Sequence, residues 1–201
     1  MAALPQSLMT LEEYFQLEES SEIRHEYYHG RVFAMAGASE KHNDIVSSVQ
    51  FSLYGQTRGR NCKVRASDMR VGIKAADFYT YPDVVIVCGK RELDHQLPNT
   101  LLNPTVLVEV LSPSTAAYDH GDKFEAYRTL DSLQEYLLIS QNSVRVEHYV
   151  RQGDAWLFTE TTRLEDTIML PSIDCTLLVS DIYEKVDFNE NDLSSITENE
   201  S

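Results

Sequence analysis

The chain has 201 residues, 42% of them hydrophobic and 24% charged, a length and balance that suit one globular domain with its own core and exclude a disulfide-stapled miniprotein or a low-complexity chain. Seventeen Lys and Arg against 32 Asp and Glu give a formal net charge of −15, which argues against a surface uniformly built for nucleic acid, because phosphate binding runs on Lys and Arg. The distribution relaxes that exclusion: residues 1–23 and 187–201 carry five acids each and no Lys or Arg, whereas "RGRNCKVRASDMRVGIK" (58–74) has six bases and one acid.

The opening "MAALPQSLMTLEEYFQLEES" has neither the basic start nor the apolar run of a signal peptide. Thr10 and Glu13 stand in capping-box spacing and predict a helix from about 11 to 18. "RHEYYHGRVFAMAG" reads as a hairpin folded about His29 and Gly30. Ser39 caps a helix running to about 58, with Ile45, Val46, Val49 and Leu53 as its apolar stripe. Strands follow at about 62–73, 83–88 and 105–111, then a helix near 119–130 with Phe124, Tyr127 and Leu130 on one side. Further strands are predicted near 135–140, 144–150, 155–161 and 167–170, and a short last helix after Ser180.

The acidic stretch from 187 to 201 reads as a disordered tail behind a single domain over 1–186. The alternation of elements predicts an α/β (α+β) fold, a central mixed β-sheet flanked by helices with an N-terminal hairpin and extra C-terminal strands. "VVIVC" at 84–88 is the densest apolar run and is far too short to span a bilayer. Cys62, Cys88 and Cys175 are odd in number, scattered and without a CxxC. They are expected to be free, mostly buried thiols in a reducing compartment, which places the protein in the cytoplasm, without a zinc site.

The chemistry concentrates in "PTVLVEVLSPST" (104–115). Side chains alternate along a strand, so Thr105, Leu107, Glu109 and Leu111 share one face while Val106, Val108 and Val110 take the other. A carboxylate among buried aliphatics costs on the order of several kcal/mol unless something compensates it, and Glu109 is such a carboxylate. The preceding strand begins "YPDVVIV", with Asp83 behind a proline tolerated at a strand start. Two carboxylates on neighbouring strands repel unless a proton or a cation lies between them. A hard divalent ion such as Mg²⁺ takes a couple of carboxylates, a backbone carbonyl and several waters.

The residues Asp83 in "YPD" and Glu109 in "VEV" resemble the PD-(D/E)xK nuclease superfamily, the restriction-endonuclease-like phosphodiesterases. The stretches "EYYHGRVFAMAGAS..H", "YPDVVIV", "VLVEVLSPSTAAYDHGDKFEAYRTL" and "LQEYLLIS" resemble one branch of it, an endonuclease family numerous in cyanobacteria and formerly a domain of unknown function. The likeness runs from about residue 8 to 186. One departure matters: an E-x-K motif would put Lys at 111, where this chain has Leu. The nearest downstream lysine is Lys123, on the helix after "SPST", and in that branch the lysine sits on this helix. Helical spacing offers Lys123 the plain alternative of a surface pair with Asp119.

The resemblance implies a metal-dependent endodeoxyribonuclease using Mg²⁺ or Mn²⁺, held by Asp83, Glu109 and the Val110 carbonyl, with Lys123 positioning the attacking water. It implies DNA as partner and a homodimer, with no membrane. Glu26 would be the acid brought from the N-terminal part, or else an exposed strand residue. His42, in the first turn of the Ser39 helix, would orient a water or touch phosphate, or else be a surface histidine near a cap. Asp68 is either buried toward the site or exposed at an edge, and Tyr127 is expected in the core. Arg58, Arg60, Lys63, Arg65 and Lys74 form the candidate DNA-contacting strip, with a solvated face as the alternative. Two rival functions stay open: a non-catalytic binding or assembly module of the same fold, and a metal-dependent hydrolase of a smaller phosphodiester.

Overall fold

The structure, a computed structural model, describes residues 8–188 apart from 36, 67 and 114. Helix α1 (Leu11–Ser20) opens on the expected capping box, with Thr10 Oγ1 accepting from the Glu13 amide and the Glu13 carboxylate accepting from the Thr10 amide at 2.7 Å. Strands β1 (His25–Tyr28) and β2 (Arg31–Ala34) form the hairpin. Its two turn residues, His29 and Gly30, both have positive φ (48° and 81°), the conformation that matches strand twist in a two-residue loop. Helix α2 (Glu40–Thr57) is capped by Ser39 and buries Ile45, Val46, Val49 and Leu53.

The chain continues through β3 (Cys62–Ala66), β4 (Arg70–Ile73), a 3₁₀ turn at Lys74–Ala76, β5 (Phe78–Thr80), β6 (Val84–Cys88), β7 (Thr100–Leu101) and β8 (Val106–Leu111). A helical stretch in three parts follows: α3 (Ala116–Tyr118), a π-turn (Asp119–Lys123) and α4 (Phe124–Tyr127). Then come β9 (Glu135–Ser140), β10 (Val146–Gln152), β11 (Ala155–Thr161), β12 (Thr167–Leu170), β13 (Cys175–Leu178) and α5 (Val179–Ile182).

The central sheet has six strands in the order β11-β10-β9-β8-β6-β3 and is mixed, with β8 and β9 parallel and the other pairs antiparallel. A five-stranded sheet, β2-β1-β5-β4-β7, carries the N-terminal hairpin, and β12 pairs with β13. One face of the central sheet (Val64, Val84, Ile86, Val106, Val108, Val110) packs under α2, β12, β13 and α5. The other face (Val85, Val87, Leu107, Tyr136, Leu138) packs against Phe78, Ala126 and Tyr127. This mixed sheet flanked by helices is the α+β class the sequence predicts.

Several expectations need correction. The predicted strand 62–73 is two strands, β3 and β4, that belong to different sheets. Strands β5, β7 and β13 were not anticipated, being short or interrupted by polar residues, and the helix begins at 116 and contains a π-turn. The cysteines are not all free: Cys62 and Cys88 form a disulfide, and Cys175 is free and buried. The β3–β6 register sets Cys62 directly opposite Cys88, their Cα atoms 4.0 Å apart, a proximity that spacing along the chain does not reveal. Of the predicted tail, residues 189–201 lie outside the described residues. Among the described residues no helix is long and apolar enough to cross a membrane.

Candidate active site

Asp83 and Glu109 face each other by register. Val84 pairs with Val108 and Val85 with Leu107, so extending the ladder one residue sets Asp83 opposite Glu109. Both side chains are buried. Asp83 is held at each oxygen: Oδ1 lies 2.9 Å from His42 Nε2, and Oδ2 accepts from the Val110 amide at 2.7 Å. The Ser39 cap fixes the first turn of α2 by accepting from the His42 amide at 3.1 Å, so the helix start aims the imidazole at Asp83.

The compensation of Glu109 comes from the helical stretch that folds back over its strand. Lys123 Nζ donates to Glu109 Oε1 at 3.2 Å and Tyr127 Oη donates to the same oxygen at 2.7 Å. Lys123 is buried, and it also lies 3.1 Å from Glu26 Oε1 and 3.1 Å from Asp119 Oδ1. The anticipated pair with Asp119 therefore exists together with the contacts to Glu109 and Glu26, and it is a buried pair, not a surface one. Glu26 is buried on β1 and accepts from Thr80 Oγ1 at 2.5 Å. The two sheets and the π-turn thus deliver Glu26, Glu109 and Asp119 to one ammonium.

The charges do not cancel. Glu26, Glu109 and Asp119 are three buried carboxylates around one buried ammonium, and a fourth, Asp83, is buried opposite Glu109 with His42 as its partner. Burial pushes the Glu109 carboxyl well above the usual carboxylate range; Lys123 acts against that, and Asp119, Asp83 and Glu26 add to it. Burial likewise raises Asp119. Lys123 moves the other way from its own desolvation, because Glu109, Glu26 and Asp119 hold its proton firmly. A site with this surplus keeps a proton or takes a cation.

In donor type and in charge the residues fit a hard divalent cation: carboxylate oxygens on opposed strand positions, the Val110 backbone beside them, and uncancelled negative charge. Among the described residues no three His, Cys, Asp or Glu side chains converge in a way that would hold a metal, and the acids converge on Lys123 Nζ instead. Asp119 Oδ1 is buried and has no hydrogen bond of good geometry despite the nearby ammonium.

Asp68 is not part of the site; its side chain is 89% exposed and 3.7 Å from Arg24. The basic strip divides. Lys63 and Arg65 on β3 pair with Val87 and Val85 on β6, on the sheet face that also carries Glu109, and Arg65 is at the end next to Asp83. Arg58 and Arg60 precede the opposite end of β3, a strand length of about 13 Å away. Arg60 donates to the carbonyls of Asp174 and Ile173 at 3.0 and 2.6 Å, and Lys74, in the 3₁₀ turn after β4, is 3.0 Å from Asp94.

Sequence reasoning missed the bond from Tyr127 to Glu109 and the buried place of Asp119. Both stand four residues from Lys123, so one helical face could have signalled them. It also missed Glu18, which accepts from Arg70 at 3.1 Å, from the His25 amide at 2.9 Å and from Tyr81 Oη, and so ties α1 to the five-stranded sheet.

A mixed sheet that sets an Asp and a Glu on adjacent strands beside a buried lysine defines the restriction-endonuclease-like class of fold. The chain belongs to the family described as "Uma2: Putative restriction endonuclease", which it matches over residues 11–180. It is 37% identical over 161 residues to "Uncharacterized protein sll1609" of Synechocystis sp. (strain ATCC 27184 / PCC 6803 / Kazusa), covering 80% of this chain and 91% of that one. It is 36% identical over 178 residues to "Uncharacterized protein slr1290" of the same organism, covering 88% and 92%. A crystal structure described as a putative nuclease belonging to DUF820, from Anabaena variabilis ATCC 29413, matches with a TM-score of 0.72 and 20% identity over 88% of this chain and 98% of that one, which speaks for the fold.

Proposed function

We propose that this protein is a Mg²⁺- or Mn²⁺-dependent endonuclease that hydrolyses DNA phosphodiester bonds. The observation that carries the reading is a set of four buried carboxylates on a nuclease-like fold, three of them sharing one ammonium and the fourth, Asp83, opposite Glu109. Asp83, Glu109 and the Val110 carbonyl would hold the ion. When bound, such an ion supplies Lewis-acid charge and lowers the pKa of a coordinated water.

The chain's own residues supply the rest. Lys123 brings a fixed positive charge into a dry site, where it offsets negative charge building on the phosphate. Tyr127 and Thr80 fix the carboxylates of Glu109 and Glu26, and His42 fixes Asp83. Arg65 and Lys63 would meet the DNA backbone at the edge of the sheet, and two copies would present two centres to the two strands.

The test is incubation with supercoiled plasmid, linear duplex and single-stranded DNA in Mg²⁺, Mn²⁺ or chelator, beside Glu109→Gln. Cleavage that needs the ion and vanishes in the variant is expected. Metal binding by calorimetry with no cleavage of any DNA would move the reading to a smaller phosphodiester. Neither binding nor cleavage would leave a non-catalytic module.

A further inference from the structure

We infer that His120 is a positioning residue for Lys123: locked onto Glu147, it holds the π-turn in the one setting that delivers the ammonium to Glu109. This inference rests on the nuclease reading of the site.

The register puts the two carboxylates on one line. Glu109 pairs with Leu138 across β8 and β9, and Leu138 pairs with Glu147 across β9 and β10. Two strand spacings separate them, about 10 Å, on the same face of the sheet. The π-turn lies over this row and is tied to both ends of it. Asp119 and Lys123 go to the Glu109 end, and His120 Nε2 goes to the Glu147 carboxylate at 2.9 and 3.0 Å. The other imidazole nitrogen, Nδ1, lies 2.6 Å from the Ala116 carbonyl, and Tyr136 Oη donates to the Asp119 carbonyl at 3.2 Å.

A π-turn is uncommon and concentrates at functional sites, because an α-helix satisfies the same backbone with better packing. Relaxation to α-helical geometry would re-register the chain by one residue, a swing of about 100° around the helix axis. Lys123 could not then meet Glu109, Glu26 and Asp119 together. His120 faces acceptors on both nitrogens, so the clamp is complete only in the doubly protonated ring. The charged and titratable groups around it are Glu147 and Tyr149 on β10, Arg145 just before β10, and Glu160 on β11; Asp119, Asp122 and Lys123 lie on its own turn. Burial lowers the His120 pKa, but Glu147 and the Ala116 carbonyl outweigh it, Arg145 subtracts a part, and the net shift is upward. The clamp is therefore whole below the ordinary histidine range and fails as pH rises through the raised value.

The experiment measures kcat and KM on a labelled duplex from pH 6 to 9, with amide hydrogen exchange over residues 116–127, for wild type, His120→Asn and the isosteric Glu147→Gln. In both variants kcat should fall about tenfold or more at the acid end with KM little changed, the alkaline decline should flatten, and exchange should quicken about tenfold. Glu147→Gln keeps the side-chain shape and serves should His120→Asn not fold. A purely structural role would lower the melting temperature while kcat and its pH profile stayed put, and that result overturns the inference. Wild-type protein that cuts no DNA overturns the nuclease reading along with it. Wild type that cuts, beside folded variants that cut and exchange like it, overturns the positioning role alone.

Discussion

Lys123 Nζ lies 3.2 Å from Glu109 Oε1, although fourteen residues of chain separate them. The same nitrogen is 3.1 Å from Glu26 on the hairpin and 3.1 Å from Asp119 one turn back, so one ammonium joins both sheets to the helical stretch. The lysine is therefore at once a structural counter-ion and the candidate electrostatic catalyst, and substitutions separate those roles.

Lys123→Ala leaves three carboxylates buried without their cation. Breaking such a buried pair costs about 3–5 kcal/mol, far above the roughly 0–1 kcal/mol of an exposed pair. Urea unfolding should show that larger loss, and cleavage measured where the variant is still folded should drop about 100-fold or more. A loss under about 1 kcal/mol would mean the ammonium is solvated and the cluster loose.

Glu109→Gln should change the pH dependence of stability. The folded-state pKa of Glu109 is raised, so the folded protein binds the proton more tightly than the unfolded chain, and stability falls as pH climbs from about 4.5 upward. The glutamine variant lacks that slope and should gain on wild type as pH increases, with metal-dependent cleavage abolished. Parallel stability curves for the two proteins would show that Glu109 is ionised at its ordinary pKa.

Tyr127→Phe removes the second donor to Glu109 Oε1 and leaves the ring in place against Phe78 and Tyr136. Removing the donor from a buried acceptor costs about 1–3 kcal/mol, so the variant should unfold at correspondingly lower urea concentration. A stability equal to wild type would mean that the bond from Tyr127 to Glu109 contributes nothing net to folding.

The fold was legible wherever local signals and burial agreed. The Thr10 and Ser39 caps, the His29-Gly30 turn and the alternation around Glu109 all appear as the residues dictate. The sheet partition was not legible: β3 and β4 read as one strand because both are strand-like, and only tertiary packing sends them to different sheets. At the site, the structure brings Asp83, Glu109, Glu26, His42 and Lys123 together. What compensates Glu109 was hidden, because the reach of Lys123 and Tyr127 depends on how the helix lies over the strand. The Cys62–Cys88 pairing was hidden for the same reason, being a consequence of register.

That pairing can be counted. Denatured, unreduced protein should present one reactive thiol, Cys175, and three after reduction. Reduction releases a loop closed over a separation of 26 residues and should lower stability by about 3–4 kcal/mol on loop entropy. Three thiols before reduction would restore the expectation drawn from the sequence.

The basic strip offers a test built on its two ends. Arg65 is on β3 beside the end that meets Asp83, whereas Arg60 is spent on the carbonyls of Ile173 and Asp174 behind the other end. Removing one cation from a DNA phosphate lowers the salt slope of binding by about one unit, because one fewer counterion is released. Arg65→Glu, measured by fluorescence anisotropy on a labelled duplex, should therefore weaken binding and flatten the slope without changing the melting temperature much. Arg60→Glu should do the reverse: it removes two backbone hydrogen bonds that brace the turn before β13, costing about 1–3 kcal/mol, and leaves the salt slope alone. Equal effects of the two on binding would mean that DNA follows the whole strip. If only Arg60→Glu weakens binding, DNA approaches at the far end of β3, away from Asp83 and Glu109, and the proposed catalytic centre would lose its substrate path.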